Sequence, residues 1–471
     1  MAVKQDKKTR KRGVILSPKG LQRLQKAIVW WEKQENQGHH LTLEELSEHT
    51  NISTKTLSRL WSANKGVDQK TLKLCFNTFN LELNNDDYIF LNEENKQQRL
   101  KVLSNNLCTQ NQNNSMWLYP DGPVPLNSPL YIERSPIEKL IYQELMQPGC
   151  IIRIQSPTKM GKTSLIIRLL AFADQQGYHT VNLSFTQIDN KYLTDFSNFL
   201  RCFCCQIATK LGLDPKIDNY WHEEIGYKLT CSFYLQEYIL KQVNQPIVIV
   251  LSEVDHFFNY PDITHEFFAL LYSWCEEVRK NPLWSKLRLV VAYATEQVVG
   301  LNINHSPFNI GLPIQLNEFT QEQVEELARR YQLNWTTGKE SALLISLIGG
   351  HPGMVQLGFY HLSLGHITLP KLIEDAISNG GIYRQHLSQL WSKLQLYSHL
   401  MPLFTQVVAT KESMFVNPSD ADQLDNLGLI TFVGDRVLPR CQLYRVYFHK
   451  QLDNLSKLEH KLENRIVKEE E

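Results

Sequence analysis

The segment Ser-Pro-Thr-Lys-Met-Gly-Lys-Thr at positions 156–163 constrains the fold of this chain more than any other segment. The apolar run at 150–154 predicts a buried strand before it, and the apolar spacing at 164–170 predicts an amphipathic helix after it. A loop of this kind binds phosphate well, because free backbone N–H groups and the positive end of a helix dipole meet there. The segment therefore predicts a phosphate-binding P-loop.

The residues of this loop have separate expected roles. Lys162 would contact the β and γ phosphates of ATP, and the Thr163 hydroxyl would ligate Mg²⁺. The full pattern has Gly where this chain has Ser156, so the match is partial. We expect the loop to contact the nucleotide through Ser156, Met160, Gly161, Lys162, Thr163 and Ser164.

A second motif follows another apolar run, Ile-Val-Ile-Val-Leu at 247–251. P-loop ATPases usually end this strand with Asp-Glu, where Asp holds Mg²⁺ and Glu polarises the attacking water. Here Ser252 stands at the Asp position, Glu253 is the candidate catalytic residue, and Asp255 is a candidate metal ligand. Because serine supplies no charge, the sequence supports ATP binding better than hydrolysis and predicts at most a weak ATPase.

The central part of the chain alternates strand and helix patterns, with strands expected at 150–154, 180–185, 247–251 and 287–292. This alternation predicts an α/β core, in which a parallel sheet carries helices on both faces. Thr295 follows the last strand, where related ATPases place a polar sensor of the γ-phosphate. A strand-end Thr without that role is the alternative.

The N-terminal part predicts an all-helical domain. Thr42 and Glu45 have the spacing of a capping box, Asn51 fits a left-handed turn, and Ser53 fits a helix cap. We expect a small core of Leu46, Ile52, Leu57 and Leu60. The spacing resembles a phage-repressor helix-turn-helix, which would present to DNA the side chains of Thr54, Lys55, Thr56, Ser58 and Arg59. A helical protein-interaction domain is the alternative.

Composition and patterning suggest the remaining divisions of the 471 residues. The formal net charge of +0 does not indicate a class of binding partner. No apolar run approaches the ~20 residues of a membrane span, so we expect a cytoplasmic protein without membrane contact. The expected divisions are a basic tail (1–12), the helical domain (13–103), a polar linker (104–128), the P-loop domain (129–317), a helical lid (318–398), a winged-helix-like domain (399–451) and a C-terminal helix (452–471).

Together these motifs resemble the bacterial AAA-like P-loop family that is related to the STAND signalling ATPases. The resemblance covers about residues 129–450 and depends on the segments at 129–134, 156–164, 252–258, 306–313, 349–352 and 439–448. It implies that Ile132 and Arg134 border the adenine and that Pro352, in a Gly-Gly-His-Pro segment of the lid, covers the nucleotide.

The resemblance also implies a function. ATP or ADP with Mg²⁺ would control the domain arrangement of a signalling switch and a nucleotide-dependent oligomer, while the N-terminal domain binds DNA or a signalling protein. Two alternatives remain open at this point. One is a DNA-binding transcriptional regulator with a degenerate ATPase scaffold, and the other is an interaction protein that needs no nucleotide.

Overall fold

The computed structural model divides the chain into two compact units, Met1–Met116 and Trp117–Glu471. The structure describes residues 14–17, 20–21, 23–24, 27–28, 30–31, 41, 43–54, 56–57, 60, 67–90, 117–297, 311–378 and 380–453. Within these residues, no helix is long and apolar enough to cross a membrane.

The N-terminal unit contains the helices Leu43–Thr50 and Gln69–Thr78 and the short 3₁₀ turn Asn85–Asp87. It is not all-helical, because strands β1 (Val14–Leu16) and β2 (Tyr88–Phe90) form an antiparallel pair. Each strand has three residues, which is too short for a periodic pattern to reveal it. The prediction of an all-α domain was therefore incomplete.

The turn chemistry predicted in this unit is confirmed. Asn51 has a left-handed backbone with φ of 56°, and the Ser53 hydroxyl accepts a hydrogen bond from the Thr56 N–H at 3.3 Å. All four predicted core residues are buried, namely Leu46, Ile52, Leu57 and Leu60. Thr54 and Thr56 lie in helical backbone, whereas Thr42, Lys55, Ser58 and Arg59 lie outside the described residues.

The second unit is built on a five-stranded parallel sheet. Its strands are β3 (Ile151–Ser156), β4 (His179–Ser184), β5 (Ile247–Ser252), β6 (Leu287–Ala294) and β7 (Leu312–Gln315). The spatial order is β4-β5-β6-β3-β7, so β6 separates the P-loop strand β3 from β5. The four predicted strands are present, and β7 is an additional one that pairs with β3.

The sheet is covered on both faces, as the alternation of strand and helix patterns predicted. Ile247, Ile249 and Leu251 of β5 join one hydrophobic cluster, while Val248 and Val250 join another. Strands buried on both faces are apolar throughout, which explains the uninterrupted run in β5. The helices of this region are Ile137–Leu145, Lys162–Gln175, Phe196–Lys210, Ile217–Tyr220, Tyr227–Tyr234 and Pro261–Val278, with a π-helical segment at Leu235–Leu240.

Helices follow the sheet in the region predicted as a lid: Gln321–Arg330, Lys339–Ile348, Pro352–Ser363, Leu369–Asp375 and Arg384–Gln395. The C-terminal segment adds the helices Met401–Ala409, Pro418–Asn426 and 442–453. It also contains a small antiparallel sheet of β8 (Met414–Phe415), β9 (Ile430–Val433) and β10 (Arg436–Pro439). The predicted helix and hairpin are therefore present.

The lid and the C-terminal segment share one hydrophobic core. Phe359 and Leu390 of the lid belong to the same cluster as Phe404, Leu424 and Val437 of the C-terminal segment. The predicted boundary between residues 398 and 399 therefore does not divide two separate cores.

Residues 117–128 were predicted to belong to a linker, and the structure contradicts this. The unit boundary lies at Met116, and residues 117–128, called the strap below, pack on the second unit. Trp117 lies 5.0 Å from Tyr331 between ring centroids, and the Arg168 guanidinium donates to the carbonyls of Val124 and Pro125 at 3.0 and 2.8 Å. The prediction failed because these contacts are with residues distant in sequence.

Candidate nucleotide-binding site

The P-loop has the expected strand–loop–helix geometry. β3 ends at Ser156, and the next helix begins at Lys162. Lys159 and Gly161 have positive φ angles of 60° and 100°. A Cβ atom at position 161 would lie 3.0 Å from the Arg134 guanidinium, in a backbone conformation that side chains disfavour. Glycine therefore fits this position for two reasons.

A cavity of about 330 Å³ opens beside the start of the P-loop helix. This volume lies at the lower end of the range for small-molecule sites, about 300–1,000 Å³. The helix start, the strap and the lid all contribute to its wall. The predicted residues that line it are Ile132, Arg134, Gly161, Lys162, Thr163, Ser164, Glu253 and Pro352.

Two predicted contact residues of the loop are not in the cavity wall. Ser156 is fully buried at the end of β3, and the Met160 side chain packs in the hydrophobic cluster beneath the sheet. The Met160 carbonyl accepts a hydrogen bond from Arg134 Nη2 at 2.5 Å. Burial explains why Ser replaces Gly at position 156 without closing the cavity, since its side chain lies away from the wall.

Lys162 lies at the cavity wall with its ammonium group turned to the loop. Nζ donates to the carbonyls of Ser156 and Pro157 at 2.7 and 2.9 Å. Burial lowers the pKa of Lys162 to about 8, although the charges of Glu296 and Asp255 oppose this effect. An anionic ligand stabilises a buried ammonium, because its negative charge compensates for the solvation that burial removes. A lysine in this setting is therefore suited to bind phosphate.

The strap forms another part of the cavity wall. Residues 120–124 line the cavity, and the Val124 N–H donates to the Ser164 hydroxyl at 2.9 Å. The Arg168 guanidinium stacks on the Tyr131 ring with its carbon 3.3 Å from the ring centroid. Ser164 and Arg168 thus fasten the strap to the P-loop helix.

Arg134 and Ile132, which the resemblance implies to be beside the adenine, line the cavity. Arg134 donates to the carbonyls of Asn317 and Met160, and its guanidinium lies 5.0 Å from the Phe319 ring centroid. The buried Glu138 accepts hydrogen bonds from the Tyr131 hydroxyl at 2.6 Å and the Arg134 N–H at 2.8 Å. These contacts fix the segment that borders the cavity.

The lid approaches the loop through a glycine. His351 caps the lid helix Pro352–Ser363 by accepting a hydrogen bond from the Met354 N–H at 3.3 Å, and Pro352, Gly353 and Gln356 line the cavity. A Cβ atom on Gly353 would lie 2.8 Å from the Cβ of Lys159. Glycine therefore allows the lid helix to contact the P-loop.

Glu253 follows β5 in a left-handed conformation with φ of 58° and lines the cavity. Its carboxylate accepts hydrogen bonds from the hydroxyl groups of Ser184 and Thr186, the latter at 2.8 Å. The predicted catalytic residue is thus beside the cavity, but in this structure its carboxylate is held by β4 and the turn after it.

Three residues expected at the phosphate and metal end have other partners. The buried Ser252 hydroxyl donates to Asn182 Oδ1 at 3.4 Å, and the Asp255 carboxylate accepts from the Ala294 N–H at 2.9 Å. The Thr295 hydroxyl donates to the Asn426 carbonyl at 2.8 Å. None of the three lines the cavity described here, so the structure does not bring them to the site as predicted. Their partners are tertiary and not visible in the sequence.

The model of the AAA-like domain family matches residues 119–450 of the chain. The chain belongs to the AAA-like domain family. This match begins inside the strap, which agrees with the unit boundary at Met116. Comparison with the curated proteins gives no match.

The solved structures that are similar to this chain have low sequence identity and TM-scores below 0.5. The Walker-type ATPase of Pyrococcus abyssi has 11% identity and a TM-score of 0.47, with 67% of this chain and 95% of that chain covered. The ORC2 protein of Aeropyrum pernix, in ADPNP-ADP complexes, has 14% identity, a TM-score of 0.41, and coverage of 69% and 93%. AMPPCP-bound DnaA from Aquifex aeolicus has 13% identity, a TM-score of 0.35, and coverage of 72% and 92%. The family assignment rests on the match of residues 119–450 to the AAA-like domain family and not on these structures.

The AAA-like domain also has a polar junction behind the P-loop that the sequence did not reveal. Glu296 Oε1 accepts hydrogen bonds from the N–H and hydroxyl of Thr158, both at 2.8 Å, and from Lys393 Nζ at 3.1 Å. Burial raises the pKa of Glu296, but Lys393 and the Thr158 hydrogen bonds outweigh this effect and lower it. Glu296 therefore joins the P-loop to the lid as a carboxylate.

The C-terminal segment reaches the same loop. A Cβ atom on Gly428 would lie 3.2 Å from Pro157, and the Thr295–Asn426 hydrogen bond lies in the same region. Arg440 fixes this segment by donating to Asp425 at 2.8 Å. The lid and the C-terminal segment thus both contact the loop expected to hold phosphate.

Proposed function

We propose that this AAA-like chain is an ATP- or ADP-binding switch, in which the bound nucleotide controls the arrangement of the lid and the C-terminal segment. The observation that carries the proposal is the cavity at the P-loop helix N-terminus. Its wall combines Lys162, the N-terminus of a helix, the strap and the lid. Such a site suits a phosphorylated ligand.

The switch would operate through the loop itself. Phosphate contacts with the loop would bias its conformation, and the loop also contacts Glu296, Gly353 and Gly428. A change in the loop would therefore change the contacts of two other elements that share one core. This supports a role in signal transduction of the STAND type, including nucleotide-dependent oligomerisation.

The N-terminal unit supplies the second part of the proposal. It would deliver the output by binding DNA or a signalling protein through the helix that follows Ser53. The left-handed Asn51, the Ser53 cap and the buried core support a helix-turn-helix. The hypothesis of DNA binding depends on Lys55 and Arg59 and is supported by the sequence alone. A transcriptional regulator with an inactive ATPase scaffold is the alternative that this unit favours.

Calorimetric titration of the full chain with ATP and ADP tests nucleotide binding. Lys162→Ala should weaken binding by about 1.5–3 kcal/mol, the value of a charge-assisted hydrogen bond. Lys210→Ala is the matched control, because Lys210 is an exposed lysine at the end of the helix Phe196–Lys210 and is not in the cavity wall. The proposal fails if the wild-type chain binds neither nucleotide at millimolar concentration.

A further inference from the structure

The residues at the phosphate end of the cavity do not form a good Mg²⁺ site. Mg²⁺ prefers a near-octahedral shell of oxygen ligands and is usually held by one or two carboxylates together with substrate phosphates. Asp255 accepts a backbone hydrogen bond from Ala294, and the Ser252 hydroxyl is directed to β4. Among the described residues, no group of three or more His, Cys, Asp or Glu could hold a metal ion.

Glu253 does not replace the missing carboxylate. It lines the cavity, but its Oε2 atom accepts hydrogen bonds from the two hydroxyl groups of Ser184 and Thr186. The Thr163 hydroxyl is then the remaining predicted metal ligand at the cavity wall. At the predicted metal position, one neutral oxygen is a weak anchor for a cation that gives up its water ligands reluctantly.

The positive charge at this end comes from lysines. Lys159 and Lys162 both line the cavity, and they lie three residues apart in the same loop. Arg134 also lines it, and its guanidinium, like the Lys162 ammonium, donates to two backbone carbonyls in this structure. Within the part of the chain that the structure describes, Lys159 makes no hydrogen bond or ion pair, so its ammonium is available to a ligand.

The backbone around Lys159 fixes its position. Its φ of 60° is left-handed, and its Cβ lies against Gly353 at the start of the lid helix. The lid residues at the cavity wall, Pro352, Gly353 and Gln356, carry no charge. A cation that contacts the phosphates from this side of the site must therefore come from the loop.

We propose that Lys159 is a second phosphate-binding residue, and that the ammonium groups of Lys159 and Lys162 hold the nucleotide phosphates in place of a carboxylate-bound Mg²⁺. This inference rests on the proposed nucleotide site. Two cations in one loop neutralise part of the phosphate charge without a metal. Nucleotide binding at this site is consequently almost independent of Mg²⁺.

Calorimetric titration of the full chain with ATP, in excess Mg²⁺ and in chelator, measures this property. The wild-type dissociation constant should change by less than about threefold between the two conditions, well under the 1.4 kcal/mol that a tenfold change represents. Lys159→Ala should weaken ATP binding in chelator about tenfold or more, as expected for a lost charge-assisted hydrogen bond. Lys159→Arg should retain most of the affinity, and Lys210→Ala should leave it unchanged.

The outcomes separate this inference from the function on which it rests. If ATP binds only in the presence of Mg²⁺, or if Lys159→Ala binds as well as the wild type in chelator, the inference is overturned while the nucleotide site stands. If ATP and ADP bind in neither condition, the proposed function fails first. A thermal-shift measurement with the same nucleotides checks that each variant is folded.

Discussion

Lys162 has a pKa of about 8 in the structure, because burial disfavours its charged form. Nucleotide phosphates would favour the charged form and raise this pKa. The complex therefore takes up a proton when it forms at a pH above about 8, and affinity for ATP should fall as pH rises from about 8 toward 10. Below about pH 7 the lysine is charged in both states, and its protonation no longer affects binding.

Titrations at several pH values, each in two buffers of different ionisation enthalpy, measure this proton uptake. Lys162→Arg is the control, because an arginine stays charged over the whole range and should remove the proton uptake while keeping a positive charge. Equal affinity of the wild-type chain at pH 7 and pH 9.5 would contradict the assignment of Lys162 to the phosphates.

Ser252 determines the expected rate of hydrolysis. Without a carboxylate at this position the wild-type chain should hydrolyse ATP more slowly than about 1 per second, the low end of typical enzymes. Ser252→Asp should raise the rate if the missing carboxylate is the limit, and it should also make ATP binding depend on Mg²⁺. Steady-state phosphate release measures the hydrolysis rates of the wild-type chain and of Ser252→Asp. The Glu253→Gln variant, which lacks the candidate catalytic carboxylate, gives the background rate.

Fast turnover by the wild-type chain would show that another acid serves the metal. Asp255 is the nearest candidate in the sequence, although its carboxylate accepts a hydrogen bond from Ala294 in the structure. A Ser252→Asp variant that folds but gains neither rate nor Mg²⁺ dependence would show that the vacancy at this position is not the limit.

At the scale of secondary-structure elements, the lid helix Pro352–Ser363 and the P-loop meet at Gly353. Gly353→Ala should place a methyl group 2.8 Å from the Lys159 Cβ and 3.2 Å from its carbonyl oxygen, so the helix must move away. Overpacking of this kind costs roughly 1–3 kcal/mol. We expect a lower melting temperature and weaker ATP binding, measured by thermal shift and calorimetry.

Gly380→Ala is the matched control for this substitution. Its new methyl group would have one neighbour, Ser378 Oγ at 4.0 Å, and the position is in the same lid region. Identical melting temperatures and affinities for the Gly353→Ala variant and the wild type would show that the close approach of the lid to the loop has no role in binding.

The elements that the sequence predicted correctly are those with local patterns. The apolar run in β5 predicts a strand, because a strand buried on both faces needs apolar residues throughout. Gly-Lys-Thr predicts the start of the P-loop helix, because a helix N-terminus of this kind needs particular residue types. The strap has no periodicity, and what fixes it is Ser164 and Arg168, about forty residues later. The strand β7 has four residues, which is also below the length that a pattern can reveal.

The same distinction applies to the site. Lys162, Thr163 and Pro352 lie in the cavity wall, because the motifs that predict their contact with the nucleotide also define the loop and the start of the lid helix. The contact itself stays a prediction. Thr295 is expected at the position where related ATPases have a polar sensor, and Asp255 is the acid further along the loop after β5. Their partners, the Asn426 carbonyl and the Ala294 N–H, come from other elements, so no local pattern reveals that both side chains are already hydrogen-bonded.

At the scale of the whole molecule, the N-terminal unit determines what the proposed switch would act on. If it reads DNA, affinity should fall steeply with salt, because phosphate contacts release counterions. Lys55→Ala and Arg59→Ala should each weaken specific binding by ~1–3 kcal/mol if these side chains contact base edges. Lys73→Ala is the matched control, since Lys73 is an exposed lysine on the helix Gln69–Thr78, outside the predicted helix-turn-helix.

Selection from random duplexes by the full chain, with ATP, with ADP and without nucleotide, examines both units in one experiment. A sequence enriched in only one nucleotide state would connect the P-loop unit to the N-terminal unit, as a switch requires. The same sequence enriched in all three conditions would favour the regulator with an inactive scaffold. Enrichment of no sequence would favour a protein partner for the N-terminal unit instead.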